Sequence, residues 1–112
     1  MYYSNNCKPC QNLVVSTAVA FDTTANALNI TIPNSGFRNC DKVCLLVAQE
    51  IPETTTLNAL VNIIIEDSTY SLVKCNCLQA TACDIIEGVI YPTKVITNGR
   101  TGTFKLLVDP KC

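Results

Sequence analysis

The stretch Ala27-Leu28-Asn29-Ile30-Thr31-Ile32 is followed directly by Pro33-Asn34-Ser35-Gly36. In the first stretch one leucine and two isoleucines alternate with polar residues, which is the period-two pattern of a β-strand with one buried face. The second stretch consists of four residue types that favour turns, so the strand is expected to end there. The segment therefore predicts a half-buried strand that stops at a tight turn.

Similar short apolar segments, separated by turn residues, recur along the whole chain. Asn98-Gly99 is the strongest hairpin signal among them, and Pro92 interrupts an apolar run, which implies an edge, a bulge or a break. No stretch of ten residues shows a helical period. The pattern predicts an all-β fold, an antiparallel β-sandwich or barrel of about seven to eight short strands. The predicted strands cover residues 13–21, 27–32, 43–48, 60–66, 70–75, 84–91, 93–97 and 103–108.

Length and composition are consistent with one small domain. The chain has 112 residues, of which 48% are hydrophobic and 15% are charged, so it is neither disordered nor highly charged. Residues 1–11 are polar and contain the Cys7-x-x-Cys10 pair. We expect residues 1–11 to form a non-regular N-terminal arm and residues 12–112 to form a single β domain.

Several classes of function are disfavoured by composition. The chain contains no His, which excludes histidine catalysis and zinc sites with His ligands, and its carboxylates are sparse. Asn98–Gly102 lacks the spacing of a phosphate-binding loop. A net charge of −1 is unlike a nucleic-acid binder, and the apolar runs are far shorter than the roughly 20 residues that cross a membrane. We therefore expect no enzyme, no nucleic-acid partner and no membrane partner.

The eight cysteines are the most distinctive feature of the sequence. The N-terminus lacks a secretory signal, which indicates synthesis in a reducing cytoplasm, where thiols outnumber disulfides; the even count nevertheless leaves disulfides open. Cys44 lies between apolar neighbours and is expected to be a buried thiol, as is Cys83. The candidates for disulfides or crosslinks are Cys7, Cys10, Cys40, Cys75, Cys77 and Cys112.

The cysteine spacing permits a zinc site. Four thiolates from two closely spaced pairs form a tetrahedral structural site, and Cys7 and Cys10 with Cys75 and Cys77 are the candidate ligands. These pairs largely lack the glycine and basic residues usual in zinc knuckles. We therefore predict no bound metal, and a small zinc-binding module remains an alternative.

One part of the sequence resembles a known class of protein. The segments that carry the likeness are Val43–Pro52, Tyr70–Cys75, Ala80–Cys83 and Thr101–Leu107. They resemble small cysteine-containing head proteins of tailed phages and prophages of anaerobic Firmicutes, over about residues 40–110. The resemblance implies a capsid decoration protein: a β-rich module, a homotrimer by preference, bound to the major capsid protein on the outer surface of the virion. Eight cysteines are many for such a protein.

A second structural function is also compatible with the sequence. The Cys-bearing N-terminal arm ahead of a β domain resembles, in that one respect, the subunits of bacterial spore appendages. This alternative predicts a self-assembling fibre or coat subunit in which Cys7 and Cys10 form disulfides to the next subunit.

Overall fold

The computed structural model describes residues 12–98 and 101–108. These residues form eight β-strands and one short 3₁₀ turn, η1, and the described part of the chain contains no α-helix, which confirms the predicted all-β class. The elements are β1 (Leu13–Val15), β2 (Ala18–Asp22), β3 (Ala27–Thr31), β4 (Lys42–Leu46), β5 (Leu60–Ile65), β6 (Ser68–Val73), η1 (Ala82–Asp84), β7 (Ile90–Thr97) and β8 (Gly102–Leu106).

All eight strands belong to one curled mixed sheet that forms a half-barrel, in the order β1-β4-β7-β8-β6-β5-β3-β2. The strands β2–β3, β5–β6 and β7–β8 form antiparallel hairpins, as expected for neighbours in sequence. The antiparallel expectation is wrong for three other pairings: β1 with β4, β3 with β5, and β6 with β8 are parallel. Placing three hairpins side by side produces the last two of these pairings, and local sequence does not encode that arrangement.

The two edges of the sheet are joined by only two residues. The amide of Ser16 donates to the Leu46 carbonyl (2.9 Å), whereas the amide of Thr17 donates to the Thr31 carbonyl (2.8 Å). The chain therefore pairs with β4 through β1 and then changes partner to pair with β3 through β2. Because β1 and β2 are the opposite edges of the sheet, this change of partner requires the sheet to curl.

A buried polar cluster holds the point where the chain changes partner. Ser16 is only 3% exposed. Its hydroxyl donates to Oε1 of Gln49 and accepts a hydrogen bond from the amide of Ala48 (2.9 Å), and Nε2 of Gln49 donates to the Ser16 carbonyl (2.8 Å). The segment after β4 is thereby fastened to the β1–β2 junction.

The core fills the concave side of the sheet. Alternate residues of each strand point inward, and Phe104 of β8 lies at the centre with no exposed surface. Its ring makes edge-to-face contacts with Phe37 (5.6 Å between centroids) and Tyr70 (5.5 Å). Burial of each large apolar side chain contributes about 1.5–3 kcal/mol, so this core supplies the main driving force for folding.

Pro92 neither ends a strand nor lies at the edge of the sheet. It is the third residue of β7, a central strand between β4 and β8. The β8 ladder stops at the Thr93–Leu106 pair, and the Pro92 carbonyl then accepts from the amide of Leu107 (2.9 Å). Pro92 thus faces Leu107, one residue beyond the end of β8, so the amide that proline lacks removes one hydrogen bond at the end of the ladder and β7 continues through Pro92.

Two further local predictions have different outcomes. The hairpin predicted at Asn98-Gly99 is confirmed, because β7 and β8 pair directly; residues 99 and 100 themselves lie outside the described residues. The strand predicted over residues 84–91 is wrong for residues 84–89. That segment begins with η1 and continues as a turn, and the amide of Gly88 donates to the carbonyl of Val47 (2.8 Å).

Candidate interaction surface

The outer, convex face of β1, β4 and β7 carries an apolar patch. Val15, Leu46 and Ile90 are direct cross-strand neighbours, and Leu13 lies two residues from Val15 on the same face. Leu13 is 54%, Val15 41% and Ile90 50% exposed, while Leu46 is half-buried. We call these four residues the apolar outer patch. It exists because β1 and the start of β7 carry apolar residues on both faces.

Three lysines form a row across the same outer face. Lys42 of β4 is directly opposite Lys94 of β7, which is directly opposite Lys105 of β8. We call these residues the lysine row. With strands about 4.8 Å apart, the row spans about 10 Å. Within residues 12–98 and 101–108, Lys74 is the one lysine in an ion pair, so no described carboxylate neutralises the row.

The row is unfavourable for the isolated chain. Like charges directly opposite each other on adjacent strands destabilise a sheet. The described acidic residues lie mainly in turns and loops, and Glu66 and Asp67 occupy the tip of the β5–β6 hairpin. Positive and negative charges are therefore separated on the surface of the domain, although the chain as a whole carries only −1.

The cysteines differ from the predictions at two positions. Cys44 and Cys83 are disulfide-bonded, so the prediction of thiols at these positions is wrong. Cys44 is buried as expected, at 2% exposure, but its side chain does not lie in the core. The alternation of β4 sends Val43 and Leu45 into the core and places Cys44 on the outer face, beside Leu13 and Pro92.

Other candidate cysteines lie in turns. Cys40 and Cys77 are exposed free thiols, so the expected disulfides at these two positions do not form within this chain. Both residues have left-handed backbone, with φ of 74° and 70°. Disulfides from Cys40 or Cys77 to a neighbouring chain stay a prediction. Cys75 is exposed, and its Sγ donates to the Leu106 carbonyl (3.2 Å). The remaining candidates, Cys7, Cys10 and Cys112, lie outside the described residues.

The structure describes only two of the four candidate zinc ligands. Its candidate ligands Cys75 and Cys77 lie in a turn after β6, which ends at Val73, two residues before the predicted end of that strand. Cys7 and Cys10 fall outside the described residues. Among the residues that the structure does describe, no group of three or more His, Cys, Asp or Glu side chains is positioned to hold a metal.

A cleft of about 270 Å³ lies at the open edge of β1. Its one carboxylate belongs to Asp41, which accepts from the amide of Arg38 (2.8 Å) and so closes the turn before β4. That carboxylate is therefore already used in holding the backbone. The lining residues are Asn12, Leu13, Val14, Ser35, Phe37 and Asp41.

A buried carboxylate and a tyrosine organise the segment before β7. Asp84, 4% exposed, accepts from the Thr81 amide (3.0 Å) and lies 3.8 Å from Nζ of Lys74. The Tyr91 hydroxyl accepts from the Ile86 amide (2.8 Å). Burial raises the pKa of Tyr91 above its usual value, the Ile86 hydrogen bond opposes the shift, and the Asp84 charge adds to it. Each of these groups has a partner within the fold, which indicates a structural role.

Comparison of the chain with protein-family models, curated proteins and solved structures finds no match. The described residues include no helix long and apolar enough to cross a membrane. The surface features and the sequence resemblance are therefore the basis for a proposal about function.

The apolar outer patch and the lysine row were not predicted from the sequence. Lys42, Lys94 and Lys105 are far apart in the chain, and each alternates with buried neighbours as any outward strand residue does. Only the register of three non-consecutive strands brings them together. The one available signal was local: Leu-Val-Val at residues 13–15 is apolar on both faces, which is unusual for an exposed edge strand.

Proposed function

We propose that this chain is a non-enzymatic structural protein that decorates and stabilises a phage capsid, binding the outer surface of the shell as an oligomer. The observation that carries the proposal is the apolar outer patch. Exposed apolar residues that are contiguous, rather than scattered, are typical of surfaces that bind protein. The sequence resemblance supplies the class of partner, a major capsid protein, and the virion as the location.

The arrangement of the patch supports a docking role. Val15, Leu46 and Ile90 lie in one cross-strand row on a rigid sheet, so the patch needs little ordering when it binds. Beside it, the lysine row adds charge, which gives an interface its orientation and its association rate more than its affinity. An oligomer also covers strand edges such as β2, whose five residues include neither lysine nor proline.

Immunogold electron microscopy tests the proposed location. Antibodies raised against the purified chain would be applied to particles released from an induced lysogen that encodes it. The proposal predicts gold on the heads of the particles and none on their tails. Unlabelled heads would refute it, and gold along cell-surface fibres would favour the second candidate.

The second candidate, a self-assembling fibre or coat subunit, is favoured by the two disulfide-bonded cysteines. Disulfides at Cys44 and Cys83 fit a protein that matures outside a reducing cytoplasm. This candidate predicts a ladder of oligomers when the protein is boiled without reductant. Truncation of residues 1–11 should abolish the ladder, and a ladder that survives would exclude the arm as the crosslink.

A further inference from the structure

We propose that the lysine row of one copy binds the acidic hairpin turn, Glu66 and Asp67, of a second copy, so that the chain assembles head to tail. The inference rests on the oligomer of the proposed function and names the two surfaces that form it. It does not depend on whether the oligomer then binds a phage shell.

The positive charge of the lysine row is not compensated by any described carboxylate. Lys42, Lys94 and Lys105 are consecutive neighbours across three strands, and within the described residues none of them has a carboxylate within ion-pair distance. A sheet gains nothing from three cross-strand lysines, because like charges directly opposite each other repel. An external anionic group would convert this unfavourable arrangement into a favourable one.

A complementary acidic surface lies on the same chain. Glu66 and Asp67 form a two-residue turn between Ile65 and Ser68, and both are exposed. Consecutive Cα atoms are about 3.8 Å apart and neighbouring strands about 4.8 Å, so two adjacent carboxylates at a hairpin tip are spaced similarly to two lysines of the row. Glu50 and Glu53 are also exposed, but they lie in the long connection between β4 and β5 rather than on a projecting turn.

The lysine row and the acidic turn cannot meet within one copy. Lys105 lies beside Val73, at the far end of β6 from Ser68, which adjoins the turn. Val73 is five residues along β6 from Ser68, a distance of about 17 Å. Any contact between the row and the hairpin therefore joins two molecules.

Symmetry fits this pairing. A homotrimer uses a heterologous interface, in which two different patches of one chain meet on neighbouring copies; if the rotation does not close, the same contact gives a filament. The lysine row and the acidic turn are such a pair. A nucleic-acid ligand is less consistent with the charges, because the acidic residues outnumber the basic ones in the chain, nine to eight.

A charge-swap experiment tests the contact. Lys94→Glu/Lys105→Glu and Glu66→Lys/Asp67→Lys would be made in the full chain, and self-association would be measured by sedimentation equilibrium at low and high salt. We expect each variant alone to associate about tenfold or more weakly than wild type. A chain that carries all four substitutions should recover association, because the exchanged charges are complementary at every contact of a closed trimer or of a filament. Wild-type association should weaken with salt.

The matched control is Glu50→Lys/Glu53→Lys, which changes the net charge as much as the hairpin variant but leaves the turn intact. It should associate like wild type, and a chain that combines it with Lys94→Glu/Lys105→Glu should not recover association. Urea midpoints close to wild type will show that each variant is folded. A monomeric wild-type chain, unweakened variants, a four-substitution chain without recovery, or recovery by the control combination would each overturn the inference. Because no particle is used, failure here is distinct from failure of the capsid proposal.

Discussion

Stability should be sensitive to Ser16, the buried polar residue at which the chain changes its strand partner. Substitution Ser16→Ala removes a hydroxyl that is buried at 3% exposure and serves two partners, the amide of Ala48 and the side chain of Gln49. A buried group that loses its partner costs about 1–3 kcal/mol. Gln49 is half-buried, so water recovers part of its loss. We therefore expect a destabilisation of about 2 kcal/mol.

Urea denaturation without reductant measures this effect. For a domain of this size the urea m-value is about 1–3 kcal/mol/M, so a loss of about 2 kcal/mol lowers the midpoint by about 1 M. Ser35→Ala is the matched control, because Ser35 is exposed and lies in the loop after β3. Its midpoint should be within about 0.5 kcal/mol of wild type in free energy.

A double-mutant cycle with Gln49→Ala shows whether the two side chains act together. Coupled neighbours give an interaction energy of about 0.5–3 kcal/mol, which we expect here. Equal midpoints for Ser16→Ala and Ser35→Ala, or additive effects of Ser16→Ala and Gln49→Ala, would refute the conclusion that this cluster fastens the junction of β1 and β2.

Three further substitutions test the account of the fold. Gly102→Ala should destabilise by at least about 2 kcal/mol in urea, because its Cβ would lie 2.1 Å from the Ile96 carbonyl oxygen; a wild-type midpoint would contradict the close approach. Asp84→Asn should cost about 1–3 kcal/mol in the same assay, and Glu87→Gln, an exposed control, should have little effect. Tyr91→Phe should cost about 1 kcal/mol near neutral pH. Burial raises the pKa of Tyr91 in the folded state, so the stability that its protonated hydroxyl contributes is fully present below pH 10 and is lost as pH rises through the folded pKa. The urea midpoints of wild type and Tyr91→Phe should therefore converge or cross above pH 10. A constant difference between them would contradict this.

The sequence was sufficient to predict most of the strands but not the sheet. Residues 13–21 form parts of two strands rather than one, and residues 84–89 form none. Leu28, Ile30 and Ile32 point into the core as their alternation indicates. Turn residues correctly placed the ends of β3 and β7, because turn chemistry is local. The parallel pairings depend on how three hairpins lie side by side, and no local pattern records that arrangement.

Pro92 and Cys44 show how tertiary context overrides local rules. A proline is tolerated inside a central strand because the partner strand has ended beside it. Cys44, surrounded by apolar neighbours, was predicted to be a core thiol, but alternation places it on the outer face as one half of a disulfide. The composition of a short segment indicates that a residue is buried, but it does not indicate on which side of the sheet the residue lies.

The candidate interaction surface could not be predicted from the sequence, because it also depends on tertiary context. The lysine row combines residues 42, 94 and 105, and the apolar outer patch combines residues of β1, β4 and β7. Each member is ordinary in its own strand. The function of such a surface depends on register, which one sequence read alone does not determine.

The composition of purified phage particles tests the central claim most directly. Particles from an induced lysogen encoding the chain would be banded in a density gradient, and the chain would be quantified by peptide mass spectrometry against the major capsid protein. The account predicts that the chain is present in a fixed ratio to the capsid protein in every preparation. Its absence from particles that contain the complete shell would contradict the proposal.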